Sequence, residues 1–127
     1  MTGTKRILLA EDDRFLRRAC ATALSRRGFL VVVAEDGEQA VQLAASERPD
    51  LILLDLLMPK MSGQQVLQHL VADPVLRDIP VVILTNSSND SDLGNHHGGN
   101  VVGYYVKADL SLQALGELVA TIFGGQS

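Results

Sequence analysis

The sequence has a single cysteine, Cys20, no apolar run longer than six residues and no excess of positive charge. Each absence removes a class of protein. One cysteine cannot form an intramolecular disulfide, which agrees with a reducing compartment, and its neighbours Ala19, Ala21 and Leu24 mark it as a small core residue. Runs of four to six apolar residues fall far short of the roughly 20 that a spanning helix needs. The opening residues, Met1-Thr-Gly-Thr-Lys-Arg, lead into the first such run without the hydrophobic region and cleavage site of a signal peptide, so a cytoplasmic location is expected. A net charge of −4 weighs against nucleic acid or an anionic membrane as a direct partner. No glycine fingerprint follows the first candidate strand, which excludes a dinucleotide-binding domain. Internal repeats are also absent.

What is present is an alternation of short apolar runs with amphipathic stretches. A chain of 127 residues that is 46% hydrophobic and 20% charged is the size and composition of one globular domain, and 1–127 is expected to be a single one. Strands are expected at Arg6 to Ala10, Leu30 to Ala34, Leu51 to Leu54, Val81 to Leu84 and Val101 to Val106, all short and mostly β-branched or aliphatic. Between them, Arg14 to Arg27 places Phe15, Leu16, Ala19, Cys20, Ala23 and Leu24 at helical spacing and stops at Gly28. Asp36 can cap a helix through Ala40, Val41, Leu43 and Ala44. Ser62 to Ala72 would bury Val66, Leu67, Leu70 and Val71 before Asp73-Pro74 ends it, and Ser111 can cap a last helix to Phe123 with Leu112, Leu115, Leu118, Val119 and Ile122 on one side. The stretch from Asn86 to Asn100 is poor helix material, rich in Ser, Asn and Gly with Leu93 its one large apolar residue, so a short or frayed fourth helix is expected there. The fold class that follows is α/β: a doubly wound five-stranded parallel sheet, flavodoxin-like in order 2-1-3-4-5, flanked by five helices.

Asp55 is the most informative residue. It ends the apolar run Leu51 to Leu54, where a strand buried on both faces should emerge at its C-terminal edge. Taken alone, an aspartate there reads as a turn or cap residue. Its companions change that reading: Glu11-Asp12-Asp13 follows the first strand, Thr85 the fourth and Lys107 the fifth. The expected strand order has its switch point between strands 1 and 3, which gathers Glu11, Asp12 and Asp55. Carboxylates sharing a site repel unless a cation joins them, and an all-oxygen set suits Mg²⁺. With a lysine and a hydroxyl opposite to complement an anion, the set describes phosphoryl transfer through an aspartyl phosphate.

These residues, within Ile7-Leu-Leu-Ala-Glu-Asp-Asp, Leu51-Ile-Leu-Leu-Asp-Leu-Leu-Met-Pro-Lys-Met-Ser-Gly, Ile79-Pro-Val-Val-Ile-Leu-Thr and Gly103-Tyr-Tyr-Val-Lys, resemble the receiver domain of two-component response regulators over essentially the whole chain. The resemblance implies that Asp55 accepts a phosphoryl group from a partner's phosphohistidine, on a histidine kinase or a histidine phosphotransfer protein, and that a downstream output protein reads the result. It implies Mg²⁺, with Mn²⁺ as a substitute, bound by Asp12 and Asp55 directly, by Glu11 through water and by the backbone carbonyl of Leu57. Asp13 is left at the pocket rim or as a helix cap. Lys107, Thr85 and Asn86 would face the phosphoryl group, and Thr85 with Tyr104 would form the switch. A half-exposed strand aromatic is the plainer reading of Tyr104, and ordinary packing is expected of Tyr105. The resemblance also implies that the domain is no enzyme beyond catalysing its own phosphorylation and dephosphorylation.

The sequence departs from the family at several points. Ala108 stands where the family usually has proline after the lysine, so a trans bond and a differently shaped loop are expected. Asn86 replaces a small residue beside Thr85 and could narrow access to the phosphoryl group. Leu57, two past Asp55, offers no polar group to orient a hydrolytic water, so slow self-dephosphorylation is expected. The same position lacks the second acid of an aspartate-based phosphatase, which disfavours that activity. A receiver fold acting as a protein-binding module without phosphorylation is the remaining alternative. Outside the main constellation, His96 and His97 with Asp92 form no closed transition-metal set. Arg14, Arg17 and Arg18 line one side of the first helix, either as a solvated basic face or as a dock for an acidic phosphodonor surface.

Overall fold

The computed structural model describes residues 3–86, 100–109 and 111–124. Five parallel strands, β1 (Arg6–Ala10), β2 (Leu30–Ala34), β3 (Leu51–Asp55), β4 (Pro80–Thr85) and β5 (Asn100–Val106), form one sheet in the order β2-β1-β3-β4-β5. Four helices accompany them among the described residues: α1 (Arg14–Arg26), α2 (Gly37–Glu47), α3 (Gly63–Ala72) and α4 (Leu112–Ile122), with a short 3₁₀ turn over Lys107–Asp109. Most of the expected fourth crossover, together with Asp92, His96 and His97, lies outside the described residues.

The apolar runs become central strands because both sheet faces are covered. Along β1, β3 and β4 successive side chains point to opposite faces. Leu8, Ala10, Ile52, Leu54, Val81 and Ile83 pack against α2 and α3, while Ile7, Leu9, Leu51, Leu53, Val82 and Leu84 pack against α1 and α4. Each of the valine, leucine and isoleucine side chains among them contributes about 1.5–3 kcal/mol on burial. Every residue of β3, Asp55 included, is buried.

Helix ends fall where cap chemistry puts them. Asp13, Asp36, Ser62 and Ser111 are the N-caps of α1 to α4, each accepting from backbone N–H groups in the first turn. Ser62 and Gln65 complete a reciprocal capping box at α3. Gly28, at φ 95°, follows the end of α1 as a glycine stop.

Three expected core positions are exposed instead. Phe15 is 84% exposed, because the buried stripe of α1 runs through Leu16, Cys20 and Leu24 and Phe15 sits one position round the helix from it. Val71 is displaced in the same way from Val66, Leu67 and Leu70, and Leu112 lies in the first turn of α4, ahead of the buried Leu115 and Val119. Cys20 is fully buried, as expected. Among the described residues no helix is long and apolar enough to cross a membrane.

Candidate functional site

The C-terminal ends of β1 and β3 lie side by side, Ala10 opposite Leu54, and the helices that follow leave toward opposite faces of the sheet. The crevice between them holds the acidic residues. Glu11 is fully buried directly after β1, Asp12 is exposed beside it, and Asp55 is 1% exposed at the end of β3. Each offers a carboxylate oxygen, and these oxygens lie within 4.8 Å of one another.

Lys107 enters from the end of β5 and bridges two of them, with Nζ 2.7 Å from Glu11 Oε1 and 2.9 Å from Asp55 Oδ2. It does so across a trans Lys107–Ala108 bond, since no described peptide bond is cis. The other oxygens are held by the backbone. Glu11 Oε2 accepts from the Asp13 N–H at 2.9 Å, and Asp55 Oδ1 accepts from the Leu57 N–H at 3.2 Å. The loop after Asp55 is pinned by the Gly63 N–H, which donates to the Leu56 carbonyl at 2.9 Å. A β-carbon at Gly63 would run into the backbone oxygen of Asp55, so this close approach requires glycine.

A pocket of about 520 Å³ opens above the carboxylates, lined by Glu11, Asp12, Asp13, Leu16, Asp55, Leu57, Asn86, Lys107 and Ala108. Thr85 is buried at the end of β4, one residue beyond Leu84, which lies opposite Asp55 in the sheet. Neither Thr85 nor Tyr104 lines the pocket. Tyr104 lies opposite Ile83 on β5 and is 37% exposed, whereas Tyr105 packs into the core beside α1 and α4. Asp13 takes the cap role, accepting from the N–H groups of Phe15 and Leu16. Arg14 and Arg18 are exposed, whereas Arg17 is half-buried: its Nη1 turns to the loop and donates to the carbonyls of Glu11, at 2.9 Å, and Asp12, at 3.3 Å.

The charges explain the protonation behaviour. Burial pushes the Asp55 carboxyl up to about 7, opposed by the hydrogen bond from Lys107 and reinforced by the nearby Glu11 carboxylate. Burial alone would lower Lys107, but its contacts with Glu11 and Asp55 outweigh that and leave it raised. Burial, with the Glu11 charge adding to it, lifts the Cys20 thiol to about 11, so it is a poor nucleophile. The all-oxygen donor set, two members buried and one open to solvent, fits a hard divalent cation that keeps part of its water shell. The partial neutralisation that Lys107 provides shows how strongly the cluster calls for positive charge.

The family model described as "Response regulator receiver domain" matches residues 7–119. The phosphate regulon transcriptional regulatory protein PhoB of Escherichia coli is 42% identical over 88 residues, covering 69% of this chain and 38% of that protein. The chain spans between 34% and 38% of the length of the curated relatives that head the comparison. Among solved structures, the phosphorylated cyanobacterial phytochrome response regulator RcpA is 34% identical with a TM-score of 0.78, covering 94% of this chain and 91% of that one. The chemotaxis response regulator CheY4 of Vibrio cholerae superposes with a TM-score of 0.87 over 94% of this chain and 99% of its own, and at 22% identity that similarity speaks for the fold alone.

Proposed function

The chain belongs to the response regulator receiver domain family of two-component signal transduction, and from that premise we propose that Asp55 is its phosphoacceptor in a Mg²⁺-dependent reaction. The observation that carries the reading is the convergence of Asp55 with Glu11, Asp12 and Lys107 in one open pocket. An Asp55 carboxylate oxygen attacks the phosphorus of a phosphohistidine on a histidine kinase or phosphotransfer protein. The P–N bond breaks as the O–P bond forms, and the imidazole leaves with its electron pair and takes up a proton. Lys107, now shared between two carboxylates, transfers its hydrogen bonds to the phosphoryl oxygens.

Glu11, Asp12, Asp55 and the Leu57 carbonyl would hold the cation, Mg²⁺ or in its place Mn²⁺. When bound, it neutralises the carboxylates and the charge developing on the transferred group. Thr85, buried at the end of β4 and outside the pocket lining, is the residue whose hydroxyl we read as turning to a phosphoryl oxygen once Asp55 is phosphorylated, and Asn86 borders the pocket itself. Thr85 and Tyr104 are the residues through which we read the phosphorylated state as reaching the β5 side, where an output protein would dock. Leu57, 68% exposed, brings no polar group to a hydrolytic water, which supports a slowly self-hydrolysing phosphoryl group. The reading treats 1–127 as one receiver domain of the cytoplasm, with no activity beyond its own phosphorylation and dephosphorylation and no direct contact with nucleic acid or membrane.

The test is incubation with acetyl phosphate or phosphoramidate and Mg²⁺, followed by intact-mass measurement. The wild type gains one phosphoryl group and Asp55→Asn gains none. A wild type that gains none, from these donors and from a cognate phosphotransfer protein alike, would instead support a binding module that works without phosphorylation.

A further inference from the structure

Arg17 has a place in the site that no role so far accounts for. It lies one turn into α1, which starts at Arg14 behind the Asp13 cap. Helical side chains lean toward the N-terminus of their helix, so an arginine at this position lies back over the preceding loop. There Nη1 donates to the carbonyls of Glu11, at 2.9 Å, and Asp12, at 3.3 Å. Both acceptors are neutral backbone groups, so what the guanidinium fixes is the path of the chain.

That path matters most for Asp12. The Glu11 carboxylate is held by Lys107 and by the Asp13 N–H, and the Asp55 carboxylate by Lys107 and the Leu57 N–H. Among the described residues no hydrogen bond or ion pair fixes the Asp12 carboxylate, so its place in the acidic cluster depends on its backbone. The loop is tied on its other side by the Glu11 N–H, which donates to the Ala34 carbonyl of β2 at 3.1 Å. Arg17 supplies the tie on the carbonyl side.

We infer that Arg17 is a positioning residue for the cation site, presetting the Glu11–Asp12 backbone so that the Asp12 carboxylate meets the cation together with Asp55. The inference rests on the cation site of the proposed function. Two effects of Arg17 on a cation have opposite signs. Its fixed charge repels a divalent ion, whereas its hold on the loop keeps an oxygen donor in place. Groups that orient metal ligands typically affect affinity by about 10–100-fold. A single screened charge at the pocket rim has a smaller effect, so positioning decides the sign.

The experiment compares the full chain with Arg17→Ala, Arg17→Lys and, as a control for charge on the exposed face of the same helix, Arg18→Ala. Mg²⁺ affinity is read by calorimetric titration, the Mg²⁺ concentration for half-maximal phosphorylation by acetyl phosphate is read separately, and stability is read by urea unfolding in EDTA. Arg17→Ala is expected to weaken Mg²⁺ binding and raise the half-maximal concentration by about tenfold, with the rate at saturating Mg²⁺ largely kept. Arg17→Lys, which keeps a charged donor, recovers part of the loss, and Arg18→Ala matches the wild type. Unchanged or tighter binding in Arg17→Ala overturns the inference, as does a loss seen only in urea stability. Should Arg17→Ala fail to fold, Arg17→Lys carries the test, and wild-type Mg²⁺ affinity in that variant overturns it. A wild type that binds no Mg²⁺ removes the cation-site reading and this inference with it, whereas normal wild-type binding with indifferent Arg17 variants removes the inference alone.

Discussion

Lys107 is the residue on which the resting site depends. It neutralises Glu11, which is fully buried, and Asp55, which is nearly so, from 2.7 and 2.9 Å. Removing one partner of a buried ion pair strands the other charge, at a cost of about 3–5 kcal/mol, and partial protonation of Asp55 would relieve some of that. Lys107→Met is therefore expected to destabilise the metal-free domain by about 2–4 kcal/mol, seen as a lower urea midpoint in EDTA. Saturating Mg²⁺ should restore part of the loss, because the cation supplies the missing charge. An unchanged midpoint in EDTA would mean that the two carboxylates do not depend on the ammonium. Asp55→Asn has the opposite sign. It removes a buried charge that folding disfavours while keeping the side chain's shape, so it should raise metal-free stability by about 1–3 kcal/mol, as a rise in the same midpoint.

At the level of elements, the turn from β3 into α3 presents the nucleophile. Alanine is a better helix residue than glycine by about 1 kcal/mol, and Gly63 has no left-handed backbone that would forbid a side chain. Contact decides against alanine all the same, since its β-carbon would meet the backbone oxygen of Asp55 and the Cα of Leu56. Gly63→Ala is expected to cost about 1–3 kcal/mol in urea unfolding and to slow phosphorylation by acetyl phosphate; a variant as stable and as fast as the wild type would mean that the loop gives way freely. The apolar runs of β1, β3 and β4 were legible in the sequence because a strand covered on both faces needs only continuous hydrophobicity. The carboxylates were legible because their positions at strand ends follow from the same strands. Phe15 misled because Leu16 beside it is equally apolar, and only the packed helix separates the buried stripe from its edge. Arg17 was read only as part of a basic helix face, because backbone carbonyls carry no sequence signal, although its place one turn behind the Asp13 cap was the available clue to its contact with the loop.

For the whole molecule, the acidic pocket links folding, pH and cation binding. Asp55 moves from an ordinary value of 3.8 to about 7 in the folded, metal-free domain. Between those values the folded state holds a proton that the unfolded chain has released. Stability falls with pH wherever the native state binds more protons, so the contribution of Asp55 is complete below its unfolded pKa and is lost as pH rises through about 7. A shift of this size bounds the loss at about 4 kcal/mol, and coupling to Glu11 and Lys107 makes about 2–4 kcal/mol the range to expect. A divalent cation binds the ionised carboxylates, so the stabilisation it gives should grow over the same interval and flatten the profile. Urea midpoints measured from about pH 4 to about pH 8, in EDTA and in excess Mg²⁺, test the linkage. In EDTA the midpoint should decline toward neutral pH, whereas with Mg²⁺ it should hold or rise. Asp55→Asn should lose most of the difference between the two curves. A wild-type curve in EDTA that rises across this interval would show that the Lys107 pairing outweighs burial at Asp55, contrary to the balance of charges argued from the structure.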